Sequence, residues 1–154
     1  MSVPKQIAER LRLVYFGYNW SSTNLKEQLS DVTLAEAHMQ VGELNTIASL
    51  AYHMFYYLRL QTKVLEGGPL EGNDKESWQT PEFATSAAWN SFLEQSWEEA
   101  EAFAKILDEM PEERLWSEFA DPKYKTVYYN VAGMIEHFYY HLGQIVLIKK
   151  QLRG

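Results

Sequence analysis

Apolar residues recur three or four positions apart along most of the chain, and clusters of glycine, proline, asparagine and aspartate break the pattern into four stretches. That spacing is the signature of amphipathic helices. The first stretch begins at Pro4, a residue suited to an opening helical turn, and carries Ile7, Leu11, Val14, Tyr15, Tyr18 and Leu25 to an end near Leu29. The second follows Asn45, read as its N-cap, and repeats Ile47, Leu50, Met54, Leu58 and Leu65 until Gly67-Gly68-Pro69 stops it. The third runs from about Ser86 to Met110 with Leu93, Ala100, Phe103, Ala104 and Leu107 on one side, and Pro111 ends it. A short turn at PEERLW, a break at Asp121-Pro122 and a fourth helix from about Thr126 to Leu152 complete the chain. No segment alternates as a strand. Residues 67–85, rich in Gly, Asn, Asp and Pro, predict a long surface connection that lets the second and third helices run parallel. The expectation is an all-α four-helix bundle in one domain spanning residues 1–154.

Composition narrows the function. With 46% hydrophobic and 14% aromatic residues the chain has ample material for a core and is not disordered. A net charge of −7, with no local cluster of Lys and Arg, repels phosphate backbones and argues against nucleic acid. The basic end, IKKQLRG, is what a helix dipole favours at its C-terminus. Cysteine is absent, which removes disulfides, thiolate-bound zinc and a thiol nucleophile from consideration. Any sulfur chemistry needs an external thiol. The opening MSVPKQIAERLRLVYF lacks the order of a signal peptide, and no apolar run approaches the roughly 18 residues of a membrane span, so a cytoplasmic protein with no membrane partner is expected.

The chemistry is carried by histidines. In the fourth stretch Val131, Ile135, Phe138, Leu142 and Ile145 form the core stripe, while His137, His141 and Gln144 form a second stripe beside it, with Asn130 in line. Histidines four apart on a helix have Cβ atoms roughly 6 Å apart, from which two imidazoles can converge on one cation. Two imidazoles hold an ion poorly against water, and His53, in the apolar run S-L-A-Y-H-M-F-Y-Y-L, is the candidate third ligand. An unpartnered imidazole there would cost free energy on burial. The reading is one mononuclear site for a divalent ion of the Zn, Ni or Mn class, held by His53, His137 and His141 with positions left open. The plainer alternative is a set of buried histidines bonded to carbonyls or to some of the ten tyrosines. His38 lies in a polar stretch and is read as a surface residue. An H-E-x-x-H protease motif fails because Phe138 follows His137, and a di-iron bundle fails because no histidine has a glutamate three residues before it. The aromatic stretches Tyr52 to Tyr57 and Tyr128 to Tyr140 are read as core or dimer contacts, and W-E-E-A-E as a solvated face.

The order of four helices, a histidine midway through the second with N-T-I-A-S-L-A-Y-H around it, and E-H-F-Y-Y-H-L-G-Q-I in the last together resemble the DinB/YfiT-like family of metalloenzymes over nearly the whole chain. The resemblance implies an up-down-down-up bundle, usually a homodimer, with His53, His137 and His141 as the metal triad. It also implies a metal-dependent transferase or isomerase using a low-molecular-weight thiol such as bacillithiol, mycothiol or glutathione, or water, on a small electrophile. A thiol that arrives with the cosubstrate agrees with the missing cysteine, because a Lewis-acidic ion lowers the pKa of a thiol or water bound to it. Gln144 and Asn130 are candidates to orient the ligands. Two other functions compete: a non-catalytic metal-binding bundle of the stress-response kind, and a plain interaction protein that binds no metal.

Overall fold

The computed structural model describes residues 1–154. Four long helices dominate: α1 (Val3–Phe16), α4 (Ile47–Leu65), α6 (Ser86–Asp108) and α8 (Val127–Arg153). Four short ones, α2 (Leu25–Leu29), α3 (Leu34–His38), α5 (Asp74–Ser77) and α7 (Glu112–Leu115), lie in the connections, with a 3₁₀ turn at Pro122–Tyr124. The only β feature is an isolated bridge between Glu118 and Thr126, so the chain is all-α. No helix is long and apolar enough to cross a membrane.

The helix boundaries follow from local chemistry. Hydroxyl caps open three of the long helices: Thr46 accepts from the Ser49 N–H, Thr85 from Ala88 and Thr126 from Tyr129. The cap of α4 is therefore Thr46 and not Asn45, one residue later than expected, because it is the threonine hydroxyl that reaches the third amide of the helix. The first helix is also shorter than its apolar pattern predicts. It stops at Phe16, and the periodicity resumes in the separate α2. The break is built by Asn19, 8% exposed, whose amide donates to the carbonyls of Leu13, Gly17 and Thr23 while its oxygen accepts from the Ser21 N–H. Those bonds offer the backbone a competitor to the helix. Asn24 then caps α2. Tyr18, read as part of the apolar face, is 85% exposed on this loop.

The predicted stripes otherwise face inward. Val131, Ile135, Phe138, Leu142 and Ile145 of α8 and Ile47, Leu50, Met54, Leu58 and Leu65 of α4 are all buried, within one hydrophobic cluster of 38 residues. At its centre Tyr15 of α1 packs on Phe55 of α4, Trp97 of α6 and Phe138 of α8, with ring centroids 6.0, 6.2 and 5.5 Å away. Rings of this size supply the largest packing contributions in such a core. α1 packs against α6 and α8, and α4 against the same two. Along α4, Tyr52, Phe55 and Arg59 meet Phe92, Trp97 and Glu99 of α6 in the same chain sense. His53 and Gln61 meet His137 and Asn130 of α8 in the opposite sense. This register sets His53 beside the middle of α8.

Candidate metal centre

His53 and His141 are nearly sealed, at 3% and 4% exposure, and His137 is half-buried at the open side. The i,i+4 pair on α8 brings the Nε2 atoms of His137 and His141 to 2.7 Å, and the α4–α8 packing brings His53 Nε2 to 3.1 Å from His137 Nε2. One nitrogen from each of the three residues lies within 4.8 Å of the others, close enough to share an ion. The side chains named from sequence therefore do come together. Two imidazole nitrogens bound at about 2.1 Å and at right angles around one ion would be about 3.0 Å apart, close to the Nε2 separations of 2.7 and 3.1 Å here.

The outer ring nitrogens fix which atoms face inward. The Ser77 hydroxyl donates to the Asp74 carbonyl at 2.6 Å, so its oxygen accepts from His53 Nδ1 at 2.8 Å. Gln144 Oε1 accepts from His141 Nδ1 at 2.6 Å. With Nδ1 protonated in both residues, their Nε2 lone pairs both point at His137 Nε2. A proton on His137 Nε2 bridges one of these two contacts only, whereas a cation between the rings would accept the lone pairs of all three. Anchoring the far ring nitrogen to an oxygen acceptor is the arrangement that orients histidine ligands and raises their basicity.

Electrostatics favours the neutral, ligating form. Burial, with the charges of His137 and His141, pushes the His53 imidazole down to about 4. Burial, with the charge of His141, brings His137 down to about 4 as well. His141 is lowered by burial, against which the Gln144 bond acts. Asp74 alone among the carboxylates counteracts, at His53 and His137, and no lysine or arginine adds to the field at the three rings. All three are therefore unprotonated at neutral pH.

Aromatic rings wall the centre. Trp78 lies flat on His53 at 3.8 Å with an interplanar angle of 18°. Tyr57 stands edge-on to His53 and His137 at 5.1 and 5.6 Å, and Tyr140 lies 4.9 Å from His141. Tyr57 and Tyr140 thus border the centre in addition to any packing role. Ser77 and Trp78 were missed from sequence because they sit in the 67–85 connection. That connection is not bare loop: α5 folds back on α4, capped by the Asn73 side chain, and buries Ser77 completely. The N-D-K-E pattern, an asparagine followed three residues later by glutamate, was the available signal.

Of the two further candidates, Gln144 is at the centre and Asn130 is not. The Asn130 amide donates to the carbonyls of Tyr124 and Thr126, and its own carbonyl accepts from Gln61. Being nearly two turns before His137, it serves the start of α8 instead. His38 is exposed and away from the triad, as expected. A cleft of about 470 Å³ between Gln28, Val146, Lys149 and Arg153 contains none of the histidines. No model of a known protein family, no curated protein and no solved structure matches the chain.

Proposed function

We propose that the protein is an up-down-down-up four-helix bundle in a single domain that holds one divalent ion on His53, His137 and His141 and transfers a low-molecular-weight thiol, or water, to a small electrophile. The parallel register of α4 with α6 and the antiparallel register of α4 with α8 support the topology. The single observation that carries the metal reading is the convergence of three Nε2 atoms whose outer Nδ1 partners, Ser77 and Gln144, leave lone pairs facing one point. A closed structural site would bring a fourth protein ligand, and the ligand-capable group here comprises three histidines.

An ion held there lowers the pKa of a thiol or water presented to it and so supplies a nucleophile near neutral pH. What the chain supplies is orientation and exclusion of water. Three neutral imidazoles fix the approach, the wall of Trp78, Tyr57 and Tyr140 covers the flanks, and His137 lies at the open side. In the transfer the thiol or water would give up its proton to solvent, its sulfur or oxygen would form a bond to the electrophilic carbon, and the bond from that carbon to the leaving group would break, the leaving group departing with the electron pair. Exposed aromatic side chains, among them Trp116 and Tyr128 with rings 5.1 Å apart, support assembly as a homodimer.

Elemental analysis of purified protein should give one divalent ion per chain, and the His137→Ala/His141→Ala variant should lose it. Near-stoichiometric metal in that variant would overturn the triad. With metal bound, a chelator-sensitive rate is expected in a panel of thiols with a chromogenic electrophile. A rate that survives chelation would place the chemistry elsewhere.

A further inference from the structure

On the proposed reading of the triad as a metal centre, we infer that the site selects a ligand bearing a cationic ammonium group a few atoms from its metal-binding atom and disfavours anionic thiols. Three observations converge on this. Tyr57, Trp78 and Tyr140 stand around the three imidazoles with ring centroids 3.8–5.6 Å from the nearest; Trp78 is stacked on His53, and Tyr140, 64% exposed, presents ring surface to solvent beside the centre. Aromatic rings beside a binding point attract ammonium groups through the negative face of the ring.

The charge beside these rings is negative. The Asp74 carboxylate is exposed and accepts from the Tyr57 hydroxyl at 3.0 Å, which anchors it next to the ring that faces His53 and His137. Its backbone carbonyl accepts from Ser77, which holds His53, so the carboxylate is tied to the centre by a continuous chain of bonds.

The third observation concerns what flanks the centre. Of the charged neighbours on the same short helix, Glu76 bonds Tyr56, and Lys75, whose side chain makes no ion pair or hydrogen bond, does not enter the field at the three rings as Asp74 does. The arginines of the two flanking helices are committed elsewhere, Arg59 to Glu99 on α6 and Arg153 to Asp31 and Glu36. A carboxylate-rich thiol of the glutathione or bacillithiol kind meets Asp74 at the rings, and the only unpaired cation on this short helix, Lys75, does not act on them. A divalent ion attracts any anionic donor atom, so the discrimination acts on the group beyond the donor, beside Asp74 and the rings.

The test replaces the native ion with Co²⁺, whose visible spectrum reports ligand exchange without any turnover. Two probes share one thiol-ethyl chain and differ in head group: 2-mercaptoethyltrimethylammonium and 2-mercaptoethanesulfonate. Neither head group is a strong chelator, so the ratio of their dissociation constants reads the surroundings and not the ion. The ammonium probe should bind about tenfold or more tighter than the sulfonate, the size expected when a full charge changes sign beside a surface carboxylate. Asp74→Asn keeps an acceptor for Tyr57 and should reduce that ratio several-fold, and Tyr140→Leu should weaken the ammonium probe selectively. Equal binding of the two probes by Co²⁺-loaded protein, or a ratio unchanged by Asp74→Asn, overturns the inference while leaving the metal centre standing. Failure of the protein to take up Co²⁺, or a spectrum indifferent to His137→Ala, overturns the metal centre and this inference with it.

Discussion

Ser77→Ala separates a metal centre from a cluster of merely buried histidines. Ser77 is fully buried, and its oxygen receives the His53 Nδ1 proton at 2.8 Å. Without it, metal-free protein has an escape: His53 can move its proton to Nε2 and donate to His137 Nε2, 3.1 Å away, so the buried His53 N–H keeps an acceptor. Metal binding reverses that shift, because Nε2 must be free to ligate, and the proton returns to an Nδ1 with no acceptor. The binding free energy therefore falls by the cost of an unsatisfied buried N–H, about 1–3 kcal/mol. At about 1.4 kcal/mol per decade this is roughly a 5- to 150-fold loss of affinity, which brackets the range of about 10–100-fold typical of residues that orient a metal's ligands. The measurement is a chelator-competition titration with Zn²⁺ at pH 7.5, where the imidazoles are neutral in both proteins. Far-UV circular dichroism confirms that the variant is folded, and Gln144→Ala provides the matching removal at His141. Wild-type affinity in folded Ser77→Ala would refute the role assigned to Ser77 and to the tautomer it fixes.

Further outcomes follow from the same structure. Because burial holds His53 and His137 near 4 in the folded chain against about 6.5 unfolded, the unfolded state takes up more protons in between, so chelator-treated protein should lose stability as pH falls from about 6.5 towards 4. Urea midpoints that stay level from about pH 6.5 to 5 would contradict the buried, neutral assignment; the ion-paired Glu36, held near 2, contributes only below about 4.5. Gly133 lies on α8 with open space where a side chain would go, so Gly133→Ala should raise stability by about 0.5–1 kcal/mol, read as a higher melting temperature. The Tyr15 hydroxyl is buried without a hydrogen-bond partner, and Tyr15→Phe should therefore be neutral or stabilising by up to about 1 kcal/mol in denaturant unfolding. A clear destabilisation would mean that the hydroxyl is satisfied in solution.

The amino-acid sequence alone determined the helices and half of the site. Apolar spacing, proline and glycine are read within a few residues, and so the inward stripes of α4, α6 and α8 were legible, as was the pairing of His137 with His141, whose separation depends only on the pitch of one helix. Helix ends were less secure where a side chain competes with the backbone: Asn19 closes α1 at a place the apolar pattern runs through, and Thr46 takes the capping role from its neighbour Asn45. Tertiary structure decided the rest. Whether His53 meets the α8 pair depends on the register of two helices 84 residues apart in sequence at that contact, fixed by the packing of Tyr15, Phe55, Trp97 and Phe138 rather than by any local signal. The parts played by Ser77 and Trp78 arise only when a polar connection folds back onto α4, because a hydroxyl and an indole acquire their chemistry from the ring they are brought to.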